Sequence, residues 1–217
     1  HIIFKPSTDT LKKLNLLGFS MTGDMNRHNH AGLLTYPMQI AVKYKVPIVI
    51  WGDHGFTEQG GMYSYNDFFE YTAKDRYENG LHGYDWFDFE GKEGLTKEDL
   101  RFLIYPDDNE VIETGLRGIF LSNYFYYDGS IHVDIAKSKY DWMEAQKPFD
   151  RTFKRTSNLD DMHENGAHDY LKFIKLGYGR GTDHANYEIR EGRMSRNKGL
   201  EMVNKYDHVK PTDLKRW

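Results

Sequence analysis

The sequence predicts an α/β fold: a parallel sheet with flanking helices, followed by a region made of helices alone. Three observations predict it. Leu33, Leu34, Met38, Ile40, Ala41 and Tyr44 recur with mainly helical spacing, and after Pro47 the pattern switches to the continuous apolar run Ile48-Val49-Ile50-Trp51. Helix then strand is the rhythm of βαβ units, and uninterrupted apolar strands belong to parallel sheets covered on both faces. A second such strand is predicted over Gly118 to Phe125, and beyond it only polar, capped helices are predicted. These changes divide the chain into an α/β part, 1–130, and a helical part, 131–217.

Composition sets limits on what the chain does. With 29 Lys and Arg against 33 Asp and Glu, the formal charge is −4, which argues against a nucleic-acid binder relying on a broad basic surface. There is no cysteine, so disulfides and thiolate metal sites are excluded and any metal would take His or carboxylate ligands. No apolar run reaches the roughly 18 residues of a membrane span, and no basic-then-apolar leader is present. Sixteen tyrosines suit either an aromatic core or a polar ligand such as a sugar. The chain opens without Met on HIIFKP, which reads as a strand already in progress and so as a fragment of a longer protein.

In order, Ile2-Ile3-Phe4 is expected to be a short buried strand ending at Pro6. Ser7 or Asp9 then caps a helix through Lys12, Leu14 and Leu17 that Gly18 stops. Asp24, Asn26, His28, Asn29 and His30 form a polar turn, and the helix after it tolerates Pro37 only by starting near Tyr36 or kinking there. Trp51 leads into Gly52-Asp53-His54-Gly55. Ser64 with Asp67 is capping-box-like and opens a helix from Asp67 to Glu78, ended by Gly80 and Gly83. Tyr84 to Phe89 alternates acid with aromatic, as an edge strand or an aromatic-anchored loop. Thr96 with Asp99 caps a short helix that stops before Pro106. After the turn Asp128-Gly129-Ser130 a helix runs from about His132 to Tyr140. Ser157 with Asp160 opens a helix through Met162, His168, Leu171, Phe173 and Ile174; Thr182 or Asp183 caps the next, through Ile189; Ser195 begins another through Leu200, Met202 and Val203.

Several clusters carry chemistry. His28 and His30, two apart, share one face of an extended segment; they are two metal ligands of the three or four a site needs, or a turn whose Asn and His side chains satisfy local backbone. Asp53-His54 at a strand end offers a carboxylate for Mg²⁺ or a ribose hydroxyl and an imidazole for proton transfer, or is a solvated turn. His163-Glu164 with His168 has the wrong spacing for a zinc-protease helix. Gly177-Tyr178-Gly179-Arg180-Gly181 lacks the lysine of a phosphate loop. Its glycines could still admit an anion to backbone amides, with Arg180 as a fork and Asp183 at the following helix start, or the run is a helix C-cap with an exposed arginine. Arg151, Lys154 and Arg155, interleaved with Phe149 and Phe153, could grip the diphosphate or carboxylate of an acidic sugar nucleotide, or form a solvated basic face.

Together GDMNRHNHAGLLTYPMQIAVKYKVPIVIWGDHG, GYDWFDFEGKEGLTKEDL, RGIFLSNYFYYD, FDRTFKRTSNLDDMHENGAHDYLKFIKLGYGR and TDHANYEIREGRMSR resemble the C-terminal two thirds of the N-acetyl sugar amidotransferases of bacterial surface-polysaccharide (lipopolysaccharide O-antigen) biosynthesis. The blocks fall in the family's order and cover nearly the whole chain. The resemblance implies a core of the adenine-nucleotide alpha-hydrolase type, incomplete at its N-terminus, with a helical C-terminal region. It implies a cytoplasmic enzyme using ATP and Mg²⁺, in which the N-acetyl oxygen of a nucleotide-linked sugar attacks the α-phosphate, pyrophosphate leaves, and ammonia displaces AMP to give an acetamidino group. Ammonia is expected from a glutaminase subunit through a cyclase-like barrel subunit.

The family's phosphate-gripping loop, Ser-Gly-Gly-x-Asp-Ser, and its N-terminal cysteine cluster have no counterpart between His1 and Trp217 and are expected upstream, so this stretch alone is not expected to adenylate. By motif position the resemblance places Gly52, Asp53, His54 and Gly55 beside the nucleotide, and Asp53, His54, His28 and His30 as catalytic candidates. Asp24, Asn26, Asn29, Arg155, Arg180 and Asp183 fall to the substrate side. A non-catalytic sugar-nucleotide-binding or scaffold module that docks a glutaminase complex is the alternative.

Overall fold

The computed structural model describes residues 1–52, 66, 70–156 and 165–215, in two compact units, His1–Tyr127 and Asp128–Trp217. The first unit is helix-rich around a two-stranded parallel sheet. Helix α1 spans Thr8–Thr22, with the Ser7 hydroxyl accepting from the Thr10 amide at 3.0 Å. It runs through Gly18 and stops at Gly23, the residue that takes the left-handed conformation (φ 64°). Gly18 serves a different purpose: a Cβ there would lie 2.6 Å from the Asp24 carbonyl oxygen, so the missing side chain lets the chain fold back over the helix. The expected strand Ile2 to Phe4 does not form; Ile2 and Ile3 are exposed, while Phe4 stacks against Tyr36 and Phe102.

Helix α2, Arg27–Tyr44, begins well before Tyr36 and carries Pro37 in its interior. It therefore absorbs most of the predicted polar turn. Its N-terminal half packs with α1 in one core, built on Leu14, Ala31, Leu81, Phe89, Leu100 and Leu103, and its C-terminal half in a second, with Met38, Ala41, Trp51, Tyr71, Leu116 and Phe120. Lys45 turns the chain in the left-handed region into β1, Ile48–Trp51. After α3, Asp108–Thr114, strand β2, Arg117–Phe120, pairs parallel with β1, Ile48 opposite Arg117 and Trp51 opposite Phe120. The sheet is covered on one face only: Val49 and Trp51 enter the core, whereas Ile48 and Ile50 are exposed. Strand β2 also ends earlier than expected, in a 3₁₀ turn over Leu121–Asn123.

Of the predicted helix Asp67 to Glu78, Glu70 instead makes an antiparallel bridge to Ile119, and the Tyr71 amide donates to the Gly118 carbonyl. Ion pairing of Glu70 with Arg117 holds this segment extended, and the helical stretch that follows is a π-helix, Asp75–Gly80. The loop alternative holds for Tyr84 to Phe89, where Asp85 and Asp88 cap a 3₁₀ turn reciprocally. Thr96 and Asp99 exchange the expected capping bonds ahead of the 3₁₀ turn Arg101–Leu103.

The second unit contains α4 (Gly129–Tyr140, capped by Asp128), α5 (Asn165–Leu176), α6 (Arg180–Arg190) and α7 (Arg196–Tyr206). Ser195 caps α7 as its sequence predicts. Among the described residues of this unit the buried apolar side chains are Ala167, Ala185 and Pro211, so polar contacts carry much of its packing. No described helix is long and apolar enough to cross a membrane.

Candidate functional site

At the start of α2 a short stretch of sequence folds into a dense polar cluster. The Asp24 carboxylate accepts the Asn26 amide at 2.9 Å, and the Asn26 carbonyl accepts the Asn29 amide at 2.9 Å, which starts the helix. Arg27, fully buried, donates to the Leu81 carbonyl at 3.3 Å and to the Tyr84 carbonyl, and its guanidinium lies 4.4 Å over the Phe89 ring. Burial lowers its pKa to about 10, opposed by Asp85 and Asp24. His28 is also buried, its Nδ1 has no hydrogen-bond partner, and burial lowers its pKa to about 4, with Asp24 pulling the other way, so the ring is neutral at pH 7.

Because this segment is helical, His28 and His30 do not share a face; two residues apart on a helix is about 200° of rotation. His28 points inward, and His30, partly exposed, places Nδ1 3.8 Å from Asp24 Oδ2. His82, which sequence reading passed over, brings Nε2 to 4.0 Å from the same oxygen. Asn29 lies at the surface, its side-chain amide 3.4 Å from Asn26 Oδ1. No group of three His, Asp or Glu side chains among the described residues is arranged to hold a metal ion.

At the carboxyl end of β1, Gly52 is exposed, and a Cβ there would meet no atom of the described residues within 4 Å. That is the end of the sheet at which open α/β folds take their ligands. Asp53, His54 and Gly55 lie outside the described residues.

The second unit answers the expectation of an anion among the glycines with an anion of its own. The Asp207 carboxylate accepts the Gly179 amide at 2.9 Å and the Thr182 amide at 3.0 Å, together with the Thr182 hydroxyl. A Cβ on Gly181 would lie 2.6 Å from Asp207 Oδ1, so the glycine is required for this approach. Asp207 therefore replaces Thr182 or Asp183 as the cap of α6, whose N-cap residue, Gly179, has no side chain to offer. Arg180 forks Asp169, with Nη2 3.0 Å from Oδ1, rather than standing free. Asp183 pairs with Lys172 and Arg155 with Glu144, so each of these candidate substrate residues has a partner within the chain.

Arg151 is buried and donates to the carbonyls of Asp207 and Val209, with its guanidinium 5.0 Å from the Tyr170 ring centroid. Lys154 binds Glu188, which also accepts Arg193 Nε at 2.7 Å, and Arg193 Nη1 reaches Asp128 at 2.7 Å. Burial opposes ionisation of Asp169, but hydrogen bonds from His168 and Arg180 lower its pKa overall. His184 Nδ1 lies 2.6 Å from the Thr152 hydroxyl, and burial with the nearby Arg180 and Lys154 charges lowers its pKa to about 3. Asp207, Asp169 and Glu188 carried little local sequence signal; their partners Gly179, Arg180 and Lys154 lie 28, 11 and 34 residues away.

A family model covers most of this charge-satisfied, apolar-poor unit. Residues 136–216 match the family model "LPS biosynthesis protein WbpG-like, C-terminal domain". The WbpG-like match runs from within α4 through α7, and it ties this stretch to lipopolysaccharide biosynthesis. No curated protein matches the sequence.

Proposed function

We propose that the chain is part of an ATP-dependent amidotransferase that converts the acetamido group of a nucleotide-linked sugar to an acetamidino group in surface-polysaccharide biosynthesis. The WbpG-like match over residues 136–216 carries this reading, because it fixes the biosynthetic setting on which the finer chemistry is built. Two features of the first unit support the chemistry: a parallel strand ending at the open Gly52, and a protected imidazole-carboxylate cluster at the start of α2. An amide carbon is a poor electrophile with a poor leaving group, so activation of its oxygen by adenylation is a sensible first step; Mg²⁺ would offset charge on the departing pyrophosphate. The stretch Gly52 to Gly55 would hold the nucleotide, with Asp53 and His54 supplying carboxylate and imidazole, and Asp24 to His30 would face the sugar amide. Ammonia would come from a glutaminase acting with a barrel subunit, in the cytoplasm.

Asp53→Ala in the full-length protein is expected to abolish amidine formation, read by mass spectrometry of a UDP-diacetamido sugar incubated with ATP and ammonium, while circular dichroism stays unchanged. Near-normal turnover would remove Asp53 from the site. The scaffold alternative draws on one observation: Arg151, Lys154, Arg155 and Arg180 all have internal partners and offer no ready-made grip on a substrate anion. It predicts binding of the sugar nucleotide without AMP release.

A further inference from the structure

We propose that His82 belongs to the same site as Asp24 and His30, and that its imidazole takes the proton given up when an amine nitrogen adds to the activated acetamido carbon. The inference rests on the amidotransferase reading above and adds to it a residue and a role.

Three independent features place His82 there. First, its backbone is held in the left-handed region at φ 52°, uncommon for a residue with a side chain. Arg27 bonds the carbonyls on either side, of Leu81 and of Tyr84. The residue preceding His28 thus ties the His82 turn to the start of α2, and Gly83, at φ 78°, completes the turn. Second, Asp24 Oδ2 sits between His30 Nδ1, at 3.8 Å, and His82 Nε2, at 4.0 Å; its side chain is largely buried, whereas those of His30 and His82 are 35% and 50% exposed. A sheltered carboxylate flanked by two reachable imidazoles is suited to holding an imidazolium once it forms. Third, the His28 ring is buried beside Asp24 and His30 and meets the Met25 backbone, but among the described residues its Nδ1 has no hydrogen-bond partner, and such an atom beside the cluster points to a small polar ligand.

The step balances. The ammonia lone pair forms the C–N bond at the imidate carbon. The added nitrogen then carries one proton more than the neutral amidine needs, and that proton passes to Nδ1 of His82, with Asp24 steadying the resulting imidazolium from the Nε2 side. The bond from carbon to the AMP oxygen breaks, and AMP leaves with its electron pair. Among the described residues the charged and titratable groups around the cluster include Asp24, His28, His30 and Arg27, with Asp85 and Asp88 acting on Arg27 and Arg76 bound to Asp85 at 2.9 Å.

The test uses the full-length protein with ATP, a UDP-diacetamido sugar and ammonium chloride, and measures the ratio of amidine to AMP formed. His82→Asn, which tolerates the left-handed backbone, is expected to lower the ratio about 10²-fold, and imidazole added to His82→Gly is expected to restore part of it. A merely structural histidine would show no such rescue. A His82→Asn ratio equal to that of the unmodified protein, or His82→Gly that is impaired but unmoved by imidazole, overturns the role of His82 and leaves the amidotransferase reading standing. No AMP from the unmodified protein overturns that reading, and this inference with it.

Discussion

His28 and Arg27 show how much the first turn of α2 depends on burial. His28 ordinarily titrates near 6.5 but is held to about 4 by desolvation, so between those values the unfolded chain binds a proton the folded chain refuses. Stability of the first unit is therefore full above pH 6.5 and falls as the pH drops toward 4, by up to about 1.4 kcal/mol per pH unit. Urea unfolding at pH 7 and pH 5 should show a smaller pH dependence in His28→Gln than in the unmodified protein. Arg27→Met should cost about 2–4 kcal/mol in the same measurement, because it strips two buried carbonyls, Leu81 and Tyr84, of their donor. The polar residues of this segment were legible in the sequence, but their arrangement was not. His28 and His30 were expected on one extended face because Pro37 argued for a later helix start, and nothing near His82 in sequence announced that Arg27 would hold it in place.

Helix ends divide into those written locally and those written at a distance. Ser7, Ser195 and the Thr96 and Asp99 pair cap as their spacing predicts, since each bond closes within three residues. The start of α6 could not be read the same way, because its capping carboxylate, Asp207, lies 28 residues beyond Gly179. Gly18 was expected to end α1, yet the glycine serves the close approach of the Asp24 carbonyl. Gly18→Ala gains about 1 kcal/mol of helix propensity but must displace that carbonyl, and a net destabilisation of about 1–3 kcal/mol is expected by thermal or urea unfolding. Strand β1 was legible from its apolar run, whereas the exposure of Ile48 and Ile50 was not, because a continuous apolar run carries no mark of which face is covered.

The two units use different means of holding together. The first relies on two apolar clusters that share α2, and the second on carboxylates satisfied by arginines, lysines and backbone amides. Such networks are sensitive to the loss of a single member. Asp207→Ala should leave the Gly179 and Thr182 amides unpaired and cost about 3–5 kcal/mol, seen as a lower thermal midpoint. The helical nature of this unit was legible from its capped, polar segments; its internal pairing of Arg180, Arg155 and Asp183 was not, since a charge pattern does not say whether the partner is a ligand or the chain itself. The link to lipopolysaccharide biosynthesis comes through this same unit, and the chemistry proposed for the whole turns on whether the sugar's acetamido oxygen becomes bonded to the α-phosphate of ATP. The most direct measurement is to give the full-length protein a UDP-diacetamido sugar labelled with heavy oxygen in its acetamido groups, with ATP and ammonium, and to weigh the AMP. Heavy oxygen in the AMP phosphate is the predicted result; amidine formed with unlabelled AMP, or with ADP in place of AMP, would contradict the account.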